Sequence, residues 1–200
     1  MNYSTRSIDN ATPLDDISGL KLPKDKVYTL KDIYEAEANN IALATLKYFS
    51  SIPSKKIAPF TYEWIQQLHQ EMFGNVWEWA GKFRTTELSI GIKAYQIPTA
   101  LKKLVDDINY WDKHKTFDIY EISARLHHRA VQIHPFKNGN GRWSRMLANI
   151  YLYQNDSMPI KWQENLLSKE NPKRDKYVQV LKSADKGDYI MLIKMHKITY

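Results

Sequence analysis

The sequence predicts a mainly α-helical bundle with one short β-hairpin. Two observations carry that reading. Apolar residues recur at helical spacing through most of the chain after residue 28, in stretches separated by glycine, proline or polar breaks. A single region, residues 81–98, departs from this period and alternates instead. With 200 residues, 43% of them hydrophobic, the chain is long enough to bury a real core, and it shows no internal repeat.

Taken in order, residues 1–28 carry Pro13, Gly19 and Pro23 with little periodicity and read as a loosely ordered arm. A single domain then follows over 29–200, its last part a C-terminal helical extension. "TLKDIYEAEANNIALATLKYF" (29–49) spaces Leu30, Ile33, Tyr34, Ala38, Ile41 and Leu46 as a helix. "TYEWIQQLHQEMFG" (61–74) sets Trp64, Ile65, Leu68, Met72 and Phe73 on one stripe and stops at Gly74. "GKFRTTELSIGIKAYQIP" (81–98) has β-branched residues, Gly91 in its middle and Pro98 as a stop, which suggests the hairpin. "PTALKKLVDDINYWDKHK" and "FDIYEISARLHHRAVQI" are amphipathic helices, the second running up to Pro135. "RWSRMLANIYLYQ" (142–154) is nearly all apolar past its first turn, as expected of a helix at the centre of a fold. "NPKRDKYVQVLKSADKG" starts with Asn171 as cap and Pro172 in the first turn, and "DYIMLIKMHK" lies near the end.

Composition removes several function classes. The absence of cysteine excludes disulfides, thiolate zinc sites and a cysteine nucleophile, and fits a reducing cytoplasm. The N-terminal stretch is polar, without the apolar segment of a signal peptide, and no apolar run approaches a membrane span. A formal net charge of +7 fits either an acidic partner or a solvated lysine-rich surface. The lysines are scattered, which favours the surface. No reading helix or stacking motif points to nucleic acid.

The chemistry concentrates in "IHPFKNGNGRWSRML" (133–147), where a helical pattern breaks at Gly139-Asn140-Gly141 and resumes at once. A glycine loop leading into a buried helix makes an anion site, because the free N–H groups and the helix dipole both favour negative charge there. Gly139 and Gly141 permit positive φ and close approach of backbone to a ligand. Arg142 and Arg145 lie three apart in the first turn and offer guanidinium forks to phosphate oxygens. No Gly-Lys-Ser/Thr follows, so this is not a P-loop. His134, just before the loop, is placed to act as general base toward an attacking hydroxyl. A tight inter-helix turn with a capping histidine is the bland alternative. The convergence of histidine, two glycines and two arginines on one helix start outweighs it.

These residues resemble the Fic-domain signature, His-x-Phe-x-(Asp/Glu)-Gly-Asn-Gly-Arg-x-x-Arg, at His134, Phe136, Gly139, Asn140, Gly141, Arg142 and Arg145. Asn138 departs from it, standing where the family usually has a carboxylate. Upstream, "LHQEMFGNVWEWAGKFRTTELSIG" also resembles the Fic core. "ATPLDD" with "YEAEANNI" resembles the branch called mobile mystery protein B, in which asparagine at this position is usual. The resemblance spans roughly residues 11–165.

The resemblance implies a Fic-type helical bundle that transfers AMP from ATP to a tyrosine, serine or threonine hydroxyl of a target protein. His134 would be the base. The amides of Gly139, Asn140 and Gly141 would hold the phosphates, with Arg142 and Arg145 on their β and γ oxygens. Phe136 would anchor the loop in the core, and the hairpin around 85–97 would be the flap that aligns the target. The donor would come with Mg2+ or Mn2+, for which Asn138 is the candidate ligand, neutral and therefore weaker than a carboxylate. UMP or phosphate transfer, or a nucleotide-binding module without transfer, are the alternatives, and a separately encoded regulatory partner is a further implication. Many family members are inhibited by a helical glutamate pairing with the second motif arginine, here Arg145. Glu37 is the better counterpart and Glu35 the second, although neither has the flanking residues of that inhibitory motif.

Of the remaining histidines, His127 and His128 read as core or supporting residues rather than a metal pair, since a zinc site needs three or four ligands. His69 reads as packing or helix surface, and His114 and His196, among lysines, as exposed. Trp77 and Trp79 read as core aromatics.

Overall fold

The computed structural model describes residues 18–23, 28–163 and 172–197. Among these, seven α-helices follow in order: α1 Leu30–Phe49, α2 Tyr62–Phe73, α3 Ile97–His114, α4 Ile119–Ile133, α5 Asn140–Gln154, α6 Pro172–Asp185 and α7 Ile190–Lys197. The protein is mainly α, as the periodicity predicts. The starts are set by local chemistry. Thr29 and Asp32 form a reciprocal capping box on α1, and Thr61 and Asp118 cap α2 and α4 through their side chains.

Helix α5 is the central element, packed along α4 and touching α2 and α1. Trp143, Leu147, Ala148, Ile150 and Leu152 on it are fully buried, which is why its sequence is apolar nearly all round. The main core joins Trp143, Leu147 and Ile150 to Tyr48, Leu68, Phe73, Trp77, Leu101, Leu104 and Phe136. A second cluster of Ala124, Tyr177, Val180, Leu181, Ala184 and Leu192 fastens α6 and α7 to α4.

Three details differ from expectation. Within the arm, Leu20 pairs with Trp77, with backbone bonds from Lys21 to Val76 and from Glu78 to Gly19, both 2.8 Å. The described part of that arm is therefore docked; residues 1–17 and 24–27, and Asn171, lie outside the described residues. Over 85–97 no strand ladder forms among the described residues: the backbone is irregular and ends in a single 3-10 turn, Ala94–Gln96. Its alternation is that of a strand, but an isolated two-stranded hairpin is marginal, and a buried arginine takes carbonyls that a ladder would need. Finally, His196 is fully buried rather than exposed. It shares the inward face of α7 with Leu192, four residues earlier, while its neighbouring lysines point out. Among the described residues no helix is long and apolar enough to cross a membrane.

Candidate active site

The segment between α4 and α5 is built from its own sequence. His134 ends α4 in the left-handed region (φ 51°), turning the chain away from the helix. The Asn140 side chain then clamps the loop shut: its Oδ1 accepts from Phe136 N and its Nδ2 donates to Phe136 O, both at 2.9 Å. The amide side chain of Asn140 is thus spent on the loop, leaving its backbone N–H for a ligand. Phe136 is fully buried between the His69 ring, stacked at 3.6 Å between centroids, and the edge-on ring of Trp143.

Gly139 stands at the start of α5 with φ 77°. A Cβ there would lie 2.7 Å from the Phe73 ring, so both its conformation and its surroundings require glycine. Unlike α1, α2 and α4, α5 has no side-chain cap and no acidic residue in its first turn. It has Arg142 there instead, with Arg145 in the turn that follows. Cations at a helix N-terminus oppose the macrodipole, so this arrangement is favourable only with an anion present. The Arg145 guanidinium comes back toward that end, close enough that a Cβ on Gly141 would lie 3.2 Å from its Nη1.

An internal anion is already in place. Glu37 on α1 is 1% exposed; its Oε2 accepts from Arg142 Nη1 at 2.5 Å and its Oε1 from Trp77 Nε1 at 2.6 Å. The structure thus pairs Glu37 with Arg142, not with Arg145 as expected. Arg142 also lies over the Phe73 ring, 4.7 Å from its centroid, whereas Arg145 faces the ring of Tyr177 at 5.9 Å. The two arginines diverge because Arg142 is drawn toward α1 and Arg145 toward α6. Glu35 is on the exposed side of α1 and forms an i,i+4 pair with Lys31.

Burial, with a smaller push from the nearby Arg84 cation and against a raising contact from Val131, lowers the His134 pKa from its ordinary 6.5 to about 4. The ring is therefore neutral at physiological pH. Its Nδ1 lies 3.3 Å from the Val131 carbonyl, which can only accept. That places the proton on Nδ1 and the free lone pair on Nε2.

Two supporting residues escape the motif. His69, fully buried on α2, takes the Gly81 N–H on Nδ1 at 3.0 Å and donates from Nε2 to the Asn138 carbonyl at 3.0 Å. Burial holds its pKa down to about 3, so it grips the loop as a neutral ring. Arg84 is buried too; its Nε donates to the His134 carbonyl at 2.8 Å. Sequence pattern alone had only weak signals for either: a histidine on an otherwise apolar stripe and an arginine beside a β-like run.

His127 and His196 lie together, 3.1 Å between Nδ1 and Nε2, in a buried chain from the Tyr177 hydroxyl to Ser123. His128 bonds Tyr189 and Asp185. These side chains tie α6 and α7 to α4. Trp77 is buried and stacks on Trp79, 5.1 Å between centroids. No group of three or more histidine, aspartate or glutamate residues that could hold a metal ion occurs among the described residues. Asn138 Oδ1 accepts from Gly139 N at 2.7 Å. The residues present make no resident metal site; one neutral oxygen, already accepting, is what Asn138 offers.

Comparison with known proteins agrees with this geometry. Residues 59–152 match the Fic/DOC family. The chain is 30% identical over 149 residues to Protein adenylyltransferase Fic of Nematostella vectensis, covering 72% of this chain and 33% of that protein. It is 31% identical over 147 residues to the protein of the same name from Drosophila yakuba, covering 72% and 28%. The chain thus spans about a third of the length of the curated relatives it matches. Among solved structures, Fic-1 (aa 134–508) from C. elegans superposes with TM-score 0.68 at 26% identity, over 88% of this chain and 51% of that one. BepC from Bartonella tribocorum, solved with bound AMPPNP, has TM-score 0.61 at 19% identity over 86% and 88%, a likeness of fold. The chain belongs to the Fic/DOC family, and its motif loop and all but the last two residues of α5 fall within the matched residues.

Proposed function

We propose that this chain transfers AMP from ATP to a hydroxyl side chain of a target protein. The single observation that carries the reading is a neutral histidine beside an uncapped, arginine-bearing helix start. Relatives named protein adenylyltransferase support it. ATP would lay its phosphates on the amides of Gly139, Asn140 and Gly141, with Arg142 and Arg145 on the outer phosphates. A tyrosine, serine or threonine hydroxyl then attacks the α-phosphorus. The new O–P bond forms as the bond from the α-phosphorus to the bridging oxygen breaks, pyrophosphate leaves, and the hydroxyl proton passes to His134 Nε2. Positioning and fixed positive charge are what such a transfer requires of a protein. A Mg2+ or Mn2+ ion bound with the nucleotide would offset its phosphate charge, and Asn138 would be a weak, neutral ligand for it. The segment 85–97 presents the target's backbone to His134. The absence of cysteine fits a reducing cytoplasm as the setting.

Glu37 gives the site a second property. It occupies the guanidinium that the donor's phosphates would use, so it restrains the enzyme from within the same chain. The test uses ATP labelled at the α- or the γ-phosphate with a bacterial lysate, beside His134→Ala. Label from the α position alone, dependent on His134, is the expected result. Label from γ alone would mean phosphate transfer, and ATP binding without label from either would leave a nucleotide-binding module.

A further inference from the structure

The irregular segment after α2 lies against His134 without a β-ladder to hold it, and one side chain takes the ladder's place. The Arg84 side chain is 1% exposed. Its Nε donates to the His134 carbonyl at 2.8 Å, Nη1 donates to the Thr86 carbonyl at 2.9 Å, and Nη2 donates to the Ile92 carbonyl. Its own backbone N–H donates to the Pro135 carbonyl at 2.9 Å, beside the bridge between Phe83 and Phe136. One planar fork therefore reaches both limbs of the segment, residues 86 and 92, and the residue that carries the base. At the tip side, Gly91 (φ 106°) sits so close that a Cβ on it would lie 2.7 Å from His134 Cβ and 2.8 Å from Arg84 Nη2.

Resting on the transfer reading above, we propose that Arg84 is a positioning residue that fixes the target-aligning segment at one height over His134, so that target and base are set by the same guanidinium. Only arginine can do this. Three carbonyls in different directions need the five donors of a rigid fork, which the point charge of lysine does not reproduce. The arrangement also explains why a left-handed, non-glycine residue is held at the end of α4: the His134 carbonyl is turned onto Arg84 instead of continuing the helix.

The test needs no identified target. Amide hydrogen exchange over residues 85–93 and the ring titration of His134 by NMR are followed in the full chain, in Arg84→Lys and in Arg84→Gln. The groups acting on that ring are its burial, the Val131 carbonyl from α4 and the Arg84 cation. Both variants should exchange at least tenfold faster over 85–93 with α2 and α5 unchanged. Lysine should keep His134 titrating near its wild-type value, whereas glutamine should move it upward. Unchanged exchange in both variants, or equal acceleration throughout α2, α4 and α5, overturns the proposal. Should the Arg84 variants not fold, Gly91→Ala decides: it leaves the arginine in the chain but wedges the segment off both His134 and the Arg84 fork. At least tenfold faster exchange confined to 85–93, with ATP affinity within twofold of wild type, supports the coupling, and wild-type exchange refutes it. Neither readout depends on transfer, so a chain that never transfers AMP could still pass or fail this test.

Discussion

Replacing Glu37 by glutamine removes the charge at the proposed restraint. The carboxylate holds two donors, Trp77 Nε1 on one oxygen and Arg142 Nη1 on the other. Glutamine keeps the shape but not the charge, and it keeps one acceptor, the other oxygen becoming an NH2 donor. With its oxygen on Arg142, that bond becomes a neutral-acceptor one and Trp77 Nε1 loses its partner. A hydrogen bond between charged partners contributes about 1.5–3 kcal/mol, a neutral one about 0.5–1.5. The difference of about 1 kcal/mol is what a phosphate no longer has to overcome to take Arg142, so ATP should bind roughly fivefold tighter. Glu37→Gly removes the contact altogether and should tighten ATP binding by roughly tenfold to a hundredfold. It should also destabilise the fold, since glycine in a helix interior costs about 1 kcal/mol and Trp77 Nε1 loses its partner. Isothermal titration with ATP and Mg2+, beside a thermal melt, measures both. The gain should vanish on an Arg142→Ala background, because the two residues act as a pair. If neither variant changes ATP affinity by more than twofold, Glu37 does not compete with the donor and the reasoning fails.

Three further outcomes follow from the same geometry. Because His134 titrates near 4, the base stays neutral well below the ordinary histidine range; the acid limb of kcat/KM should therefore lie near pH 4, and a limb at 6.5 would contradict the burial seen here. Burial also holds His69 and His196 at about 3, so the folded state binds fewer protons than the unfolded one between about pH 6.5 and 3. Their contribution is complete above 6.5 and lost as pH falls through that window, with a slope approaching about 1.4 kcal/mol per pH unit for each ring; urea unfolding at pH 7, 6 and 5 should show the decline, and His196→Leu should flatten it. Asn138→Asp adds the missing carboxylate and should lower the Mg2+ concentration needed for ATP binding several-fold, a titration that would come out flat if the nucleotide alone holds the ion.

What the sequence made legible was whatever is local. The helix over 61–74 carries its cap, its stripe and its glycine stop within fourteen residues, and the structure follows it closely. The loop at 134–145 was readable for the same reason: φ-positive glycine, helix start and arginines are neighbours in sequence. What stayed hidden depends on partners far away in the chain. Arg84 meets His134 fifty residues on, His69 meets Asn138 sixty-nine residues on, and His127 meets His196 at the same separation. Their own neighbourhoods mark them only weakly. For 85–97 the local signal pointed the other way: the alternation is real, but Arg84 has taken the Thr86 and Ile92 carbonyls. His196 misled for a similar reason. Lysines surround it in sequence, while in the fold its face of α7 is sealed against α4.

The pairing of Glu37 with Arg142 bears on more than inhibition. A helix whose first two turns carry two arginines and no acid is electrostatically poor by itself, since cation and dipole repel at that end. It needs an anion to be stable, and Glu37 is one supplied by the chain. The nucleotide is another, with more charge and more acceptors. In the proposed function both would satisfy the same deficit at the start of α5, which would make them alternatives for Arg142. Exchanging one for the other would leave Arg142 paired in the nucleotide-bound state as well. Binding of the donor then releases a carboxylate that is 1% exposed and still bonded to Trp77. Expelling it into an apolar wall would be expensive. The physical consequence is that ATP affinity and the stability of the α1 contact are linked: whatever loosens Glu37 from Trp77 should strengthen the site, even from a face of α1 that never touches the nucleotide.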